Sequence, residues 1–178
     1  AVGYQALTAL TSGERNLAIG FQAADTLTQG DDNVAIGHSA LGGATTTDGI
    51  DKNVAIGNGA MSGTNAGAAQ NVAVGYAALD GNLTSAADNN TAVGHYAGSA
   101  ITSGASNTSI GSNSGYTLST GIRNTFIGNS AGYTAVDVDR AVCIGYNAGS
   151  NGNMTSDADG TIAIGYNSLL GLTTGQYN

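Results

Sequence analysis

Cations are scarce in this chain. Four Lys and Arg stand against twelve Asp and Glu, a formal charge of −8, which speaks against nucleic acid and anionic lipid surfaces as partners. Charge of either sign is rare, at 9% of residues where soluble domains carry about 25%. Proline and tryptophan are missing, and glycine makes up 29 of 178 residues, so the composition is not that of an ordinary globule. Long apolar runs are missing as well. None approaches the ~18–20 residues that cross a bilayer as a helix, which leaves no membrane insertion to expect. Cys143 is the single cysteine; it has no disulfide partner within the chain. It fills a slot usually held by Ala and reads as a small buried thiol.

What the chain has is repetition. Asn33-Val34-Ala35-Ile36-Gly37 returns as Asn16-Leu17-Ala18-Ile19-Gly20, Asn53-Val54-Ala55-Ile56-Gly57, Asn71-Val72-Ala73-Val74-Gly75 and Asn90-Thr91-Ala92-Val93-Gly94. Looser copies end at Gly111, Gly128, Gly145 and Gly165, and a shortened one opens the chain as Ala1-Val2-Gly3. The steps between motif glycines are 17, 17, 20, 18, 19, 17, 17, 17 and 20 residues. Such a period means one supersecondary unit per repeat, each stacked on the next. Recurrence of Val and Ile in phase also sets the chain apart from disordered Gly-, Ser- and Asn-rich sequence.

Within a motif the side chains alternate as a strand requires, with Val34 and Ile36 on one face and Asn33, Ala35 and Gly37 on the other. Each repeat then reads as a strand, a turn, a shorter strand and a second turn. The expected fold is all-β, a parallel β-solenoid of about ten coils over residues 1–178, a single array about 48 Å long at ~4.8 Å per coil. Val and Ile are expected to form an internal column. The Ala, Ser and Gly face is expected to be the surface that another chain approaches, three chains meeting around a threefold axis. The ends fall inside the repeat pattern, as in a segment of a longer fibre continued end to end. The seven motif asparagines, Asn16 to Asn124, form either an amide ladder or turns bonding their own backbone.

Chemistry-bearing residues are few. Asp137, Asp139, Asp157 and Asp159 fall at matching phases of adjacent coils, an oxygen-rich set suited to calcium or a solvated loop edge. No cleft or apolar wall accompanies these carboxylates to tune one as an acid, so no enzyme and no other cofactor is expected. Charge clusters at Glu14, Asp31, Asp51, Asp88, Asp139 and Asp159 and at Arg15, Lys52, Arg123 and Arg140, as along a water-facing edge. His38 and His95 share the slot after the motif glycine with Tyr4, Tyr76, Tyr146 and Tyr166. That column serves packing or an interface in one reading and stacks sugars in the other. Extra residues of the two 20-residue steps fall in 42–50 and 149–160, expected as projecting loops that carry any specific contact and tolerate trimming.

The unit Asn33-Val34-Ala35-Ile36-Gly37-His38-Ser39-Ala40 resembles the head repeats of trimeric autotransporter adhesins. The longer form with Leu and Thr-Ser/Thr-Gly is similar to repeats of phage tail-fibre proteins. The resemblance covers essentially all the coils. It implies a left-handed β-roll, a homotrimer, an extracellular place on a cell surface or virion tail, and attachment to a host cell-surface glycan or protein. Two alternatives stand beside it: a self-assembling surface filament subunit, and a β-solenoid that binds ice or polysaccharide. A row of Thr91, Thr108 and Thr125 invites the ice reading, but Leu17, Val34, Val54, Val72, Val142 and Ile162 break it.

Overall fold

The computed structural model describes residues 1–43 and 49–175. The motifs form strands β1 (Leu17–Ile19), β2 (Val34–Ile36), β3 (Val54–Ile56), β5 (Val72–Val74), β7 (Thr91–Val93), β8 (Thr108–Ile110), β9 (Thr125–Ile127), β10 (Val142–Ile144) and β11 (Ile162–Ile164). They pair in parallel, in chain order, in one nine-stranded sheet. The chain is thus an all-β solenoid of about eight turns. Val2 joins it through a single bridge to Ile19. The strands have three residues rather than the five of the motif. Val34 N–H donates to Asn53 of the following coil and Gly37 N–H to Ile19 of the preceding one, both at 2.8 Å.

Register holds in every step: Ala18 lies beside Ala35, Ala35 beside Ala55, Ala55 beside Ala73 and Ala73 beside Ala92. The same column continues through Ser109, Phe126, Cys143 and Ala163. The motif glycine closes each strand because no other residue fits. Gly128 has φ +128°, and a Cβ there would lie 2.5 Å from the carbonyl oxygen of Gly145. Backbone touches backbone at that corner in consecutive coils.

The faces of the sheet are the reverse of the expected ones. The Ala column is buried, with Ala18, Ala35, Ala55, Ala73, Ala92 and Ala163 at 0–1% exposure. Val34, Ile36, Val54, Ile56, Val72 and Val74 point outward and are half-buried only by their own neighbours. The reason is thickness. The wall facing the sheet already brings Leu27, Leu41, Ile50, Met61, Leu79, Ile101, Leu118, Val138 and Met154 into the interior, so a coil of about 17 residues has room opposite them for small side chains, except at Phe126, where Gly115 and Gly132 make space for the ring.

Among the described residues the expected second strand occurs in two coils, as β4 (Asn65–Ala66) paired with β6 (Leu83–Thr84). These belong to the 18- and 19-residue steps. In the 17-residue coils that wall is held by coil-to-coil bonds such as Thr102 N–H to Ser119 (3.0 Å) and Ser119 N–H to Val136 (2.8 Å). Left-handed corners recur in every coil, for instance at Ser39 (φ 53°), Leu41 (φ 53°) and Lys52 (φ 58°). They keep the chain out of the extended conformation that a strand needs.

Candidate interaction surface

The outer face of the sheet is the most prominent surface. Two columns run its length, Leu17-Val34-Val54-Val72-Thr91-Thr108-Thr125-Val142-Ile162 and Ile19-Ile36-Ile56-Val74-Val93-Ile110-Ile127-Ile144-Ile164. Neither holds a charged residue. Exposure is greatest at Ile162 (57%) and Ile164 (65%), and Leu17, Ile19 and Ile110 are also exposed. At ~4.8 Å between strands and ~3.3 Å per residue, nine three-residue strands make an apolar strip about 40 Å by 10 Å. Patches of a few hundred Å² mark interaction sites on otherwise polar proteins.

An aromatic row edges this strip, because the residue after each motif glycine leaves the sheet in the same direction. Tyr4 stacks on Phe21 and Phe21 on His38, each with centroids 5.2 Å apart. Asn58 breaks the row, and Tyr76 stacks on His95 (5.3 Å) and Tyr146 on Tyr166 (5.4 Å). Planes within 8–18° of parallel mean that the rings cover one another's faces. A sugar laid along the row would meet ring edges, so the geometry favours packing over sugar stacking. A second group, Tyr96, Tyr116 and Tyr133, joins Tyr76 and His95 through edge contacts at Tyr96 and a stack between Tyr116 and Tyr133. Sequence reading missed it, although Tyr116 and Tyr133 share an offset of five residues from Gly111 and Gly128. The Tyr96 hydroxyl is held above its ordinary range, first by its hydrogen bond with Tyr76 and also by nearby Asp80. Burial raises the Asp80 carboxyl in turn.

Asparagine forms the amide ladder. Oδ1 of Asn33 accepts from the backbone N–H (3.0 Å) and Nδ2 (3.2 Å) of Asn53, while its own Nδ2 donates to the Ile50 carbonyl (2.7 Å). The pattern repeats at Asn90 and Asn107, and at Asn107 and Asn124. It ends where Ala141 N–H donates to Asn124 Oδ1.

The acidic edge, expected only to face water or hold calcium, makes a second ladder. Oδ1 of Asp31, Asp51, Asp88, Asp139 and Asp159 accepts a backbone N–H from the preceding coil, at 2.7–2.8 Å. Three of the four residues expected as a calcium set have hydrogen-bonding partners within the coil stack. Asp139 binds Ile122 N–H, Asp159 binds Asp139 N–H and pairs with Arg140 at 3.3 Å, Asp137 accepts from Ser156 N–H, and Asp157 is exposed. Among the described residues no three His, Cys, Asp or Glu gather in a group that could hold a metal ion.

The segment 149–160 does not project as a whole. Met154 and Ala158 are fully buried, a 3₁₀ turn covers Ser156–Ala158, and the Thr134 hydroxyl donates to the carbonyls of Ser150 and Gly152. Of the other long step, Ile50 is buried and 44–48 lie outside the described residues. Cys143 is buried as expected, and burial pushes its thiol up to about 12. His38 and His95 are exposed. Among the described residues no helix is long and apolar enough to cross a membrane.

These features define a parallel β-solenoid repeat protein with one apolar sheet face. No family model matches the chain, and no curated protein or solved structure is significantly similar to it.

Proposed function

We propose that this chain is a non-enzymatic shaft or adhesive segment of an extracellular fibre, of the trimeric-adhesin or phage tail-fibre type, on a cell surface or virion tail. It works as a parallel homotrimer within a longer fibre whose exposed positions meet a host glycan or protein. One observation carries the reading: a charge-free face of Val, Ile and Thr runs the length of the described sheet. Three such faces turned inward around one axis bury what a single rod leaves wet, and identical coils in parallel keep the columns in register. The coil itself supports a mechanical role. Every strand, the Asn ladder and the Asp ladder bond along the rod. Sedimentation of the purified chain at micromolar concentration tests the proposal: the expected species is three times the chain mass, and a folded monomer overturns the assembly.

A further inference from the structure

Two tyrosine pairs are brought together by the repeat itself. Tyr116 and Tyr133 each stand five residues after a motif glycine, and their rings stack with centroids 5.0 Å apart and planes 4° from parallel. Tyr146 and Tyr166 each follow a motif glycine directly and stack at 5.4 Å and 11°. Within a pair the slots are identical and the coils parallel, so the phenols extend side by side with like edges adjacent. Tyr96 is different. It meets Tyr76 at 86° and Tyr116 at 88°, edge to face, and it stands in a different slot of the repeat from either.

We propose that Tyr116–Tyr133 and Tyr146–Tyr166 are oxidative cross-linking sites, at which a haem peroxidase with hydrogen peroxide joins consecutive coils by a dityrosine bond. Each phenol gives one electron to the oxidised haem and one proton to solvent. The two phenoxyl radicals form one carbon–carbon bond between ortho carbons, and each ring moves the displaced ortho hydrogen to its oxygen. The protein loses two electrons and two protons in all, which reduce one hydrogen peroxide to two waters.

Access differs between the pairs. Tyr146 (49%) and Tyr166 (76%) are open to an oxidant. Tyr116 and Tyr133 are half-buried, but exposed Tyr76 leads to them through Tyr96, with ring centroids 5.4 Å and then 6.0 Å apart. A phenoxyl hole made at Tyr76 therefore has a path to the stacked pair. Turning both rings about Cβ–Cγ brings like ring edges towards each other, and a small approach of the two side chains closes the biaryl bond. The bond staples one coil to the next and restricts the unfolded chain, as any cross-link does. This inference stands independently of the fibre reading.

The test treats the purified chain with a haem peroxidase and hydrogen peroxide, then maps linked peptides by mass. The expected products weigh two hydrogens less per bond, fluoresce as dityrosine, and join Tyr116 to Tyr133 and Tyr146 to Tyr166. Tyr133→Phe removes the first bond and leaves the second. Oxidation of the urea-unfolded chain, run in parallel, should lose this pairing. Random pairs in the folded chain, linkage only between chains, or the same two pairs from the unfolded chain would overturn the proposal.

Discussion

Residues of this chain act through their copies in the neighbouring coils. Asn90 accepts from the N–H (3.0 Å) and Nδ2 (3.1 Å) of Asn107 and donates to the Gly104 carbonyl (2.8 Å), all buried. Asn90→Ala leaves those groups without partners, at about 1–3 kcal/mol for each buried group left unsatisfied. Urea denaturation should register the loss, and a change within error would show the ladder to be redundant. Size complementarity works the same way. The Phe126 ring is accommodated by Gly115 and Gly132, and a Cβ on Gly132 (φ +59°) would lie 2.7 Å from it. Gly132→Ala should destabilise by roughly 2–4 kcal/mol through left-handed strain and overpacking. The overpacking part should vanish in a Phe126→Ala background, so a double-mutant cycle should show strong coupling.

Two carboxyls are shifted in opposite directions from the ordinary range. Asp32, hydrogen-bonded to Arg15, is held below the ordinary carboxylate range. Its contribution is present above that range and lost as pH falls through the lowered value; because the pair lies at the surface, the effect is small and screened by salt. Asp80 is raised by burial. The folded state therefore holds its proton more tightly, and that advantage is lost as pH rises through the raised value. Asp80→Asn should be more stable than the native chain at neutral pH and lose that margin below the ordinary carboxylate range. Thermal melts at the two pH values check it, and a pH-independent difference would contradict the assignment.

Elements here are short because turns carry as much of the coil as strands do. The three-residue strands are too brief to persist alone, and they are fixed by bonds to the coils on either side. The segment 149–160 shows how an insertion joins the core, since it places Met154 and Ala158 in the interior. Trimming it to the 17-residue pattern should therefore lower stability. Met154→Ala alone should cost about 2–5 kcal/mol by leaving a cavity. Denaturation of both variants checks this, and unchanged midpoints would return the segment to the status of a dispensable loop.

For the whole molecule, the two faces of one sheet should answer differently to the same substitution. Ala73 is fully buried and Ile56 is on the outer face. Ala73→Arg places a charge in a space that holds a methyl group and should unfold the coils around it. Ile56→Arg should leave the circular dichroism of the rod intact while dissociating the proposed trimer. Circular dichroism and sedimentation of both variants decide between the faces. Dissociation without unfolding in Ala73→Arg would mean that the small-residue face is the interface after all.

The sequence alone determined the parallel solenoid, its period and its phase, because strict recurrence of Asn, Ala and Gly leaves one stacking arrangement that satisfies every copy at once. It also placed Cys143 in the core and the asparagines in register. Alternation within Val34-Ala35-Ile36 separates two faces, but it cannot say which is inside. The usual rule assigns the larger side chains to the core. The tertiary structure decided otherwise: the opposite wall brings Leu41, Met61 and Leu79 across an interior one coil thick, and the facing positions of those coils hold Ala. The tyrosine pairs and the bracing carboxylates were likewise settled in three dimensions. Their partners lie 17 to 20 residues away along the chain, and only the stacked coils bring them within reach.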